Sequence, residues 1–463
     1  MKKSVLVIGA GCAGLAAAYR LAKEGHEVAL VEKAKRIGGL SETLSYRGVR
    51  FDLGPHVFFR NDPEISALWR ELLKEKFVTH RRRSSLYYNG KLIQSPLHPL
   101  DAFLKIGLKD SLLILTHYLQ SQIRNVSEAK NSREWVVNNF GEKLYEMFYE
   151  VYNEKIWGVG CEKIEPQWAR RRIKNSLVKM ILGSFLNDPK FTVKEFDYPE
   201  EGAGMMHEAF LGEILRNPNA SLRTCSEITA LRHDGQRIHA VEIRDSGSQT
   251  ILPWEGDAII STMPINELVQ KIAPSPTEEV LSAAQGLSYR NLIAVNLIID
   301  QKNLKSFPQH WVDIHAPEIK MLRATNFGNF SPAMGAGNKA GVTAEYVSSA
   351  DDELWRKKDP EVIRLAGEEL DRMGLVAKGG VEEGSVVRKE KAYAVYLLGY
   401  QEKMGILRDC LARFQNLQTI GRQGMFLYNN MHHSVRSGLL AAENVSGKAH
   451  DLWATASLQP QMW

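Results

Sequence analysis

The sequence has 463 residues, 44% of them hydrophobic and 24% charged, a composition that excludes bulk disorder and fibrous architecture. Lys and Arg outnumber Asp and Glu by 59 to 54, and no sustained basic run with interleaved aromatics indicates a nucleic-acid surface. At roughly 150 residues per domain, the length predicts about three domains. No CxxC pair occurs among the cysteines, which argues against a structural zinc site or disulfide framework; they are Cys12, Cys161, Cys225 and Cys410.

No run of about 18 uninterrupted apolar residues occurs, so we expect no membrane span. The opening Met1-Lys2-Lys3-Ser4 resembles the start of a signal peptide, but glycines soon interrupt the apolar run that follows and no cleavage site appears. Scattered cysteines suit a reducing compartment. We therefore expect a cytoplasmic protein, with peripheral membrane contact left open.

The first forty residues predict a dinucleotide-binding unit. The apolar run Ser4–Ile8 predicts a buried strand, Leu15–Lys23 a helix, and His26–Glu32 a second strand ending in an acid. Between the first strand and the helix lies the GxGxxG motif Gly9-Ala10-Gly11-Cys12-Ala13-Gly14, and Glu32 follows Gly14 by 18 residues. In this motif Gly9 allows the tight turn, Gly11 lets the backbone approach a pyrophosphate, and Gly14 permits close helix packing. Glu32 can accept hydrogen bonds from a ribose and disfavours a ribose 2′-phosphate.

Two further motifs indicate that the bound dinucleotide is FAD and not NAD. Arg36-Ile37-Gly38-Gly39 follows the acid, and Gly54-Pro55-His56 lies within Phe51–Phe59. Both segments resemble the flavin amine oxidase superfamily, in particular its protoporphyrinogen-oxidase-like and UDP-galactopyranose-mutase-like branches. The resemblance implies bound FAD, with Arg36 near the diphosphate, Gly38 and Gly39 close to the cofactor, and the Gly54 turn beside the flavin ring. Leu40 departs from the second Arg of many amine oxidases, which makes an ordinary amine oxidase a poorer match.

The middle of the chain predicts a helical insertion. Apolar spacing indicates helices over Leu100–Ile123 and Arg133–Tyr152, with Asp101 and Ser132 as N-cap residues. Asn153–Gly158 and Ile164–Ala169 resemble the K-x-W-G and I-x-P-x-W-A segments of protoporphyrinogen-oxidase-like proteins, although core packing is the favoured explanation for their tryptophans.

Two basic clusters flank this region, His80–Arg83 and Arg170–Lys174. Most of their charges are expected to face water, and the alternative is an anionic substrate such as a nucleotide sugar or polyprenyl phosphate. The amphipathic stretch Ile173–Leu186 leaves a membrane-surface contact open.

The chain then returns to the first domain. Tyr198–Met205 resembles the superfamily turn at this return, and the strand Leu222–Leu231 places Ile228 where relatives hold the adenine. Further segments predict a hairpin, a buried strand, and a second α+β domain with an antiparallel sheet: His239–Ile243, Thr250–Pro253, Ala258–Pro264, Ile293–Ile299, Gly341–Val347 and Pro360–Arg372. Ala392–Tyr396 matches the superfamily strand that lines the substrate cavity, with Ala394 in place of its proline.

The C-terminal motif is a strand over Leu417–Arg422, the segment Tyr428–Ser434, and a helix over Val435–Val445. It resembles the ending of the same two branches and implies that the helix N-terminus faces the flavin, where it stabilises negative charge. His432 replaces the usual Asp, which we expect to raise the redox potential. Adjacent histidines on a helix are expected to point apart, and His432-His433 lacks a third ligand, so we predict no metal.

Together these patterns predict an α/β fold in which a Rossmann-type FAD-binding domain (1–83, 196–285 and 413–463) is interleaved with a helical insertion that is also part of the substrate domain (84–195) and with an α+β substrate domain (286–412). The predicted cofactor-binding residues are Gly9, Gly11, Cys12, Ala13, Gly14, Glu32, Lys33, Arg36, Gly38, Gly39, Gly54, Pro55, His56, Ile228, Gly421, Arg422, Met431, His432 and Ser434, and His56 is also the predicted catalytic residue.

The resemblance implies an FAD-dependent oxidoreductase that moves a hydride from a substrate carbon to flavin N5. The alternatives are a redox-neutral mutase acting on a nucleotide sugar, a carotenoid-type desaturase, and a flavin-binding scaffold without turnover. The expected partner is a small molecule, anionic or lipophilic, and not a nucleic acid.

Overall fold

The structure, a computed structural model, describes residues 1–60, 62–95, 99–123, 128–172 and 195–454. Its strands, in chain order, are β1 Ser4–Ile8, β2 Glu27–Val31, β3 Thr43–Tyr46, β4 Val49–Asp52, β5 Phe77–Arg81, β6 Ser84–Tyr88, β7 Lys91–Ser95, β8 Glu195–Pro199, β9 Ala220–Arg223, β10 Ser226–His233, β11 Ile238–Asp245, β12 Ile251–Trp254, β13 Ala258–Ser261, β14 Ile272–Ala273, β15 Ser288–Asp300, β16 Trp311–Ile314, β17 Arg323–Asn326, β18 Lys339–Ser348, β19 Val381–Val395 and β20 Leu417–Thr419.

The α-helices are α1 Cys12–Lys23, α2 Pro63–Leu73, α3 Pro99–Ile106, α4 Leu108–Ile123, α5 Ser132–Phe140, α6 Glu142–Tyr145, α7 Val151–Trp157, α8 Pro166–Arg172, α9 Gly204–Ile214, α10 Ile265–Gln270, α11 Glu278–Gln285, α12 Glu353–Arg356, α13 Asp359–Arg372, α14 Tyr400–Leu411, α15 Gly421–Gly424 and α16 Met431–Val445. Within the described residues, no helix combines the length and apolar character needed to cross a membrane.

A parallel five-stranded sheet forms the centre of the first domain. Its strand order is β20-β13-β1-β2-β9, and β1 pairs in parallel with both β2 and β13. The Val, Leu and Ile side chains of β1 are almost fully buried, as expected for a central parallel strand covered on both faces. Strands that are distant in sequence thus build the dinucleotide-binding sheet, and the α/β fold class is the one that the sequence predicts.

A second, seven-stranded sheet has the order β19-β15-β18-β17-β16-β6-β7. Most neighbours are antiparallel, whereas β16 and β6 run parallel. Strands β6 and β7 lie within the segment 84–195, which we predicted to be a helical insertion and part of the substrate domain. That segment therefore begins as part of the substrate-domain sheet and becomes helical only from α3 onward.

Smaller sheets complete the fold. The predicted hairpin is present as β11 and β12, which extend a four-stranded sheet through β10 to β14. The predicted strand Leu222–Leu231 is two strands, β9 and β10, which belong to different sheets. Strand β5 pairs with β8, and β3 with β4.

The two long predicted helices are interrupted at glycines. Leu100–Ile123 divides into α3 and α4 at Gly107, and Arg133–Tyr152 divides at Gly141, because both glycines adopt a positive φ that ends a helix. A π-helical turn, Glu146–Glu150, follows α6. The two residues predicted as N-caps, Asp101 and Ser132, were also wrong. Helix α5 is capped by Asn131 instead of Ser132, and Asp101 lies inside α3, where it accepts from the Gln94 amide. The stretch Ile173–Leu186 lies outside the described residues.

The C-terminal helix α16 packs closely against α1. A Cβ built on Gly438 would lie 2.2 Å from the carbonyl oxygen of Ala13 and 2.9 Å from the amide nitrogen of Ala17. Both are backbone atoms, which cannot move without displacing α1. The absence of a side chain at Gly438 therefore sets the distance between these helices.

Gly438→Ala should force α1 and α16 apart and lower the free energy of unfolding by about 1–3 kcal/mol. Urea denaturation provides the measurement. Gly212→Ala is the matched control, since it also lies in a helix but a Cβ there meets nothing within 4 Å. That control should be neutral or gain roughly 0.5–1 kcal/mol. Equal stability of Gly438→Ala and the natural protein would contradict the packing argument.

Candidate functional site

A cavity of about 670 Å³ lies between the parallel sheet and the seven-stranded sheet. Residues just beyond the carboxyl ends of β1, β2, β13 and β20 line it, among them Gly9, Glu32, Thr262 and Gly421. This is the edge at which open α/β sheets bind their ligands. Sixteen of the predicted cofactor-binding residues line the cavity: Gly9, Gly11, Cys12, Ala13, Glu32, Lys33, Gly38, Gly39, Gly54, Pro55, His56, Ile228, Gly421, Arg422, Met431 and Ser434.

The glycines of the first turn have different surroundings. Gly9 has φ +96°, and a Cβ there would lie 2.0 Å from Thr262 Oγ1. Beside Gly11 no heavy atom lies within 4 Å of such a Cβ, so its backbone is open to the cavity. Gly14 does not line the cavity, and its Cβ would clash with the Gly9 carbonyl oxygen at 1.9 Å. Gly14 therefore allows helix packing, whereas Gly11 leaves room for a ligand.

Glu32 is held at the end of β2 by two backbone amides. Its Oε2 accepts from the Ala10 amide at 2.7 Å and its Oε1 from the Ala34 amide at 2.8 Å. The carboxylate thereby fixes the turn before α1 as well as facing the cavity. On the neighbouring wall, the Lys33 ammonium lies 3.3 Å from Glu227.

Arg36 does not reach the cavity. It donates to the Thr43 carbonyl at 2.8 Å, and its Nε lies 3.3 Å from Glu42. The side chain is 57% exposed, and its place near a diphosphate stays a prediction. Gly38 and Gly39 do line the cavity, both with positive φ.

The turn Gly54-Pro55-His56 is anchored by Asp52. The buried Asp52 carboxylate accepts hydrogen bonds from Thr43 Oγ1 at 2.5 Å, Tyr198 Oη at 2.6 Å and the Ala203 amide at 3.1 Å. Burial raises the pKa of Asp52 to about 6, against the opposing effect of these donors. Three separate parts of the chain thus hold the start of the turn.

His56 is neutral at physiological pH. Burial is the main cause that lowers its pKa to about 4, and the Leu40 carbonyl, 2.9 Å from Nε2, opposes the shift. Because a carbonyl oxygen only accepts, Nε2 carries the hydrogen, and Nδ1 of the neutral ring is an acceptor. His56 can therefore take a proton at Nδ1.

At the C-terminal motif, Gly421, Arg422, Met431 and Ser434 line the cavity, and α16 begins there. His432 does not line it; Asp62 and Arg436 are the charged groups that act on its pKa. A direct effect of His432 on a flavin is therefore not supported by its position.

The expectation that the two histidines point apart was wrong, since their ring centroids lie 3.9 Å from each other. Within the described ranges, no group of three His, Cys, Asp or Glu side chains is placed to hold a metal.

The wall opposite the glycine turn contains residues that the sequence analysis missed. Trp311, Arg323 and Glu345 line the cavity from β16, β17 and β18. Buried Arg323 lies 2.7 Å from Asp313 and 3.4 Å from Glu345, and it donates to Tyr152 Oη at 2.8 Å. Burial raises the pKa of Glu345 to about 7, although Arg323 opposes the rise. In the sequence, the signal that could have identified Arg323 and Glu345 was a charged residue within a segment that forms a strand.

The basic clusters contribute little to this cavity. His80 Nε2 donates to the Phe330 carbonyl, and the Arg82 guanidinium lies 5.0 Å from the ring centroid of Trp311. Arg170 lies 3.5 Å from Glu128 at the surface. The side chains of Arg171 and Arg172 and residues 173–194 lie outside the described part of the structure.

Comparison with known proteins gives consistent matches. The family described as flavin containing amine oxidoreductase matches residues 12–446. Coproporphyrinogen III oxidase of Bacillus subtilis is 20% identical over 441 residues, covering 89% of this chain and 91% of the relative. Protoporphyrinogen oxidase 2 of Arabidopsis thaliana is 27% identical over 160 residues, 32% of each chain. Among solved structures, reduced UDP-galactopyranose mutase superposes with a TM-score of 0.83 at 20% identity, covering 99% of this chain and 98% of the other.

The lowered pKa of His56 predicts a loss of stability in acid. The imidazole stays neutral in the folded protein, so its contribution is complete above the unfolded pKa of 6.5 and disappears as the pH falls through about 4. Since the ring is partly exposed, we expect roughly 2–3 kcal/mol. Urea unfolding between pH ~7 and pH ~4 should show that His56→Gln loses less stability than the natural protein. The exposed His239→Gln is the control, and an equal loss in both variants would refute the assignment.

Proposed function

The chain belongs to the flavin-containing amine oxidoreductase family and is an FAD-dependent oxidoreductase, and we propose that it removes a hydride from a carbon atom of an anionic small molecule. The observation that carries the proposal is the cavity in which the dinucleotide edge of the parallel sheet faces a wall of charged and aromatic side chains.

The residues at the parallel sheet fit FAD. No side chain caps the N-terminus of α1, so its first amides remain available to a phosphate, and Gly11 leaves open space beside them. Glu32 can accept from a ribose, and Gly421, Met431 and Ser434 also line the cavity, with Gly421 close to Ala13 at the start of α1. When bound, FAD supplies an acceptor for the hydride and passes the electrons to an external oxidant.

Arg422 favours an anionic substrate. Its guanidinium carbon lies 4.4 Å from the ring centroid of Tyr428 and 5.4 Å from that of Tyr393, and it donates to the carbonyls of Ala392 and Asn429. Among the described residues, no carboxylate forms an ion pair with it. Its positive charge at the cavity wall can therefore be neutralised by a carboxylate or phosphate of the substrate.

His56 is the proposed proton acceptor. It lines the cavity between the dinucleotide edge and the Arg422 wall, and its neutral ring presents Nδ1 as an acceptor. A neutral imidazole can take a proton from a substrate N–H or O–H when the neighbouring C–H bond loses its hydride. The Leu40 carbonyl keeps the ring in the required tautomer.

A second candidate is redox-neutral mutase chemistry on a nucleotide sugar. The same pairing of Arg422 with two tyrosine rings favours it, because a guanidinium can bind a diphosphate while aromatic faces hold a planar or sugar ring. Both candidates use the cavity for an anion, and they differ in whether the oxidised or the reduced protein is the active form.

Anaerobic mixing separates the two. If the oxidised holoenzyme removes a hydride, coproporphyrinogen III or another anionic substrate should bleach the flavin absorbance, and His56→Ala should slow bleaching by roughly 10²–10⁴-fold with FAD still bound. Leu215→Ala, at an exposed site, is the control. Conversion of UDP-galactopyranose by dithionite-reduced protein, without bleaching of the oxidised form by any compound tested, would reject hydride removal and support the mutase.

Glu32→Ala should weaken FAD binding by about 10- to 100-fold, because it removes a charge-assisted hydrogen bond worth roughly 1.5–3 kcal/mol and frees the amides of Ala10 and Ala34. Glu32→Gln keeps an oxygen acceptor and should lose less. Fluorescence titration of the apoprotein with FAD measures both affinities. An unchanged dissociation constant in Glu32→Ala would show that the carboxylate does not contact the cofactor.

A further inference from the structure

The outer face of α4 carries an apolar stripe that no described residue covers. Leu108, Leu112, Leu115 and Leu119 remain between 51% and 63% exposed. The opposite face of the helix is packed inward through Tyr118 and Ser121. The stripe is therefore additional to the face that holds α4 in the fold.

The leucines are separated by four, three and four residues, the spacing of a coiled-coil seam. Such a stripe is narrow and matches a second helix packed alongside at a small angle. A helix that lies on a membrane has a wider apolar face and a polar face rich in Lys and Arg. The exposed residues around this stripe include Thr116, Gln120 and Gln122, with Lys109 as the one exposed cation described on α4.

The spacing is also the same in both directions along the helix. In an antiparallel pair of identical helices, Leu112 would face Leu115 of the other copy, and Leu108 would face Leu119. Both pairings are centred between Leu113 and Ile114. A two-fold interface must be complementary to itself, and this stripe meets that condition.

The exposed apolar area approaches what a stable pair buries. Ile123 continues the stripe at the end of α4 and is 84% exposed, and Phe103 and Leu104 of the preceding helix α3 are 45% and 69% exposed. Together with the four leucines they expose on the order of 700 Å². A stable interface buries about 800 Å² on each partner, and the largest apolar patch of a monomer is usually about 300–600 Å².

We propose that α4 is a homodimer interface, in which the leucine stripe packs antiparallel against α4 of a second copy of this chain. The charged residues near the stripe do not oppose this pairing, because Lys105 is paired with Asp101, Asp110 is paired with Lys143, and exposed Lys109 would face Tyr118 of the other copy instead of a second cation.

Sedimentation of the full-length holoprotein over a wide concentration range tests the proposal. The natural chain should show a dimer of twice its 52.2 kDa mass. Leu112→Glu and Leu115→Lys should each raise the dimer dissociation constant by about 100-fold or more, because each places a charge against leucine. Leu215→Lys, at an exposed leucine outside α3 and α4, is the control and should remain dimeric.

Mixing the two single variants tests the antiparallel register. Glu at position 112 of one copy would face Lys at position 115 of the other, so the mixture should form a heterodimer that neither variant forms alone. A dimer without this rescue would overturn the antiparallel seam. A monomeric natural chain would overturn the dimer. In that case, binding to anionic vesicles would assign the stripe to a membrane, and a loss of thermal stability in both variants would assign it to another segment of the same chain.

Discussion

The buried carboxylate of Asp52 is the interaction on which the site geometry depends. It receives donors from β3, β8 and the residue before α9, and it lies two residues before Gly54. A carboxylate in such surroundings is stable only while every donor stays in place. The position of the His56 turn is therefore fixed by contacts between the early part of the chain and the segment that returns from the helices. This junction therefore ties the turn that lines the cavity to the returning segment.

The two sides of the cavity use different chemistry. The glycine side presents backbone amides and open space, whereas the opposite side buries the Asp313, Arg323 and Glu345 charges close together. One guanidinium cannot fully compensate two carboxylates that are removed from water, which is the physical reason that the pKa of Glu345 rises. Arg422 adds a cation without a carboxylate partner in the described chain. The cavity wall thus combines the carboxyl group of Glu345, whose pKa is raised, with the guanidinium cation of Arg422, which has no carboxylate partner among the described residues.

Local patterns predicted the parallel sheet and its turns well. Strand β1, the GxGxxG turn and Glu32 lie together because adjacent residues specify each of them, and the two-sided burial of β1 follows from its apolar run. The opposite wall was missed because it depends on pairing between distant segments. Arg323 and Glu345 face each other across β17 and β18, and β6 joins their sheet from more than 200 residues earlier. Positions of helix breaks were missed although Gly107 and Gly141 were visible in the sequence, because apolar spacing continues across both glycines.

The order of strands in the parallel sheet has a consequence for biosynthesis. Strand β1 and its glycine turn are synthesised before the other strands of their sheet, but the sheet also requires β13 and β20, and α1 requires the surface of α16 around Gly438. A nascent chain that still lacks residues 417–445 cannot complete the cofactor-binding edge or cover the apolar face of α1. The dinucleotide domain therefore finishes folding only after residue 445 has been synthesised. Until then, the face of α1 that packs on α16 stays uncovered.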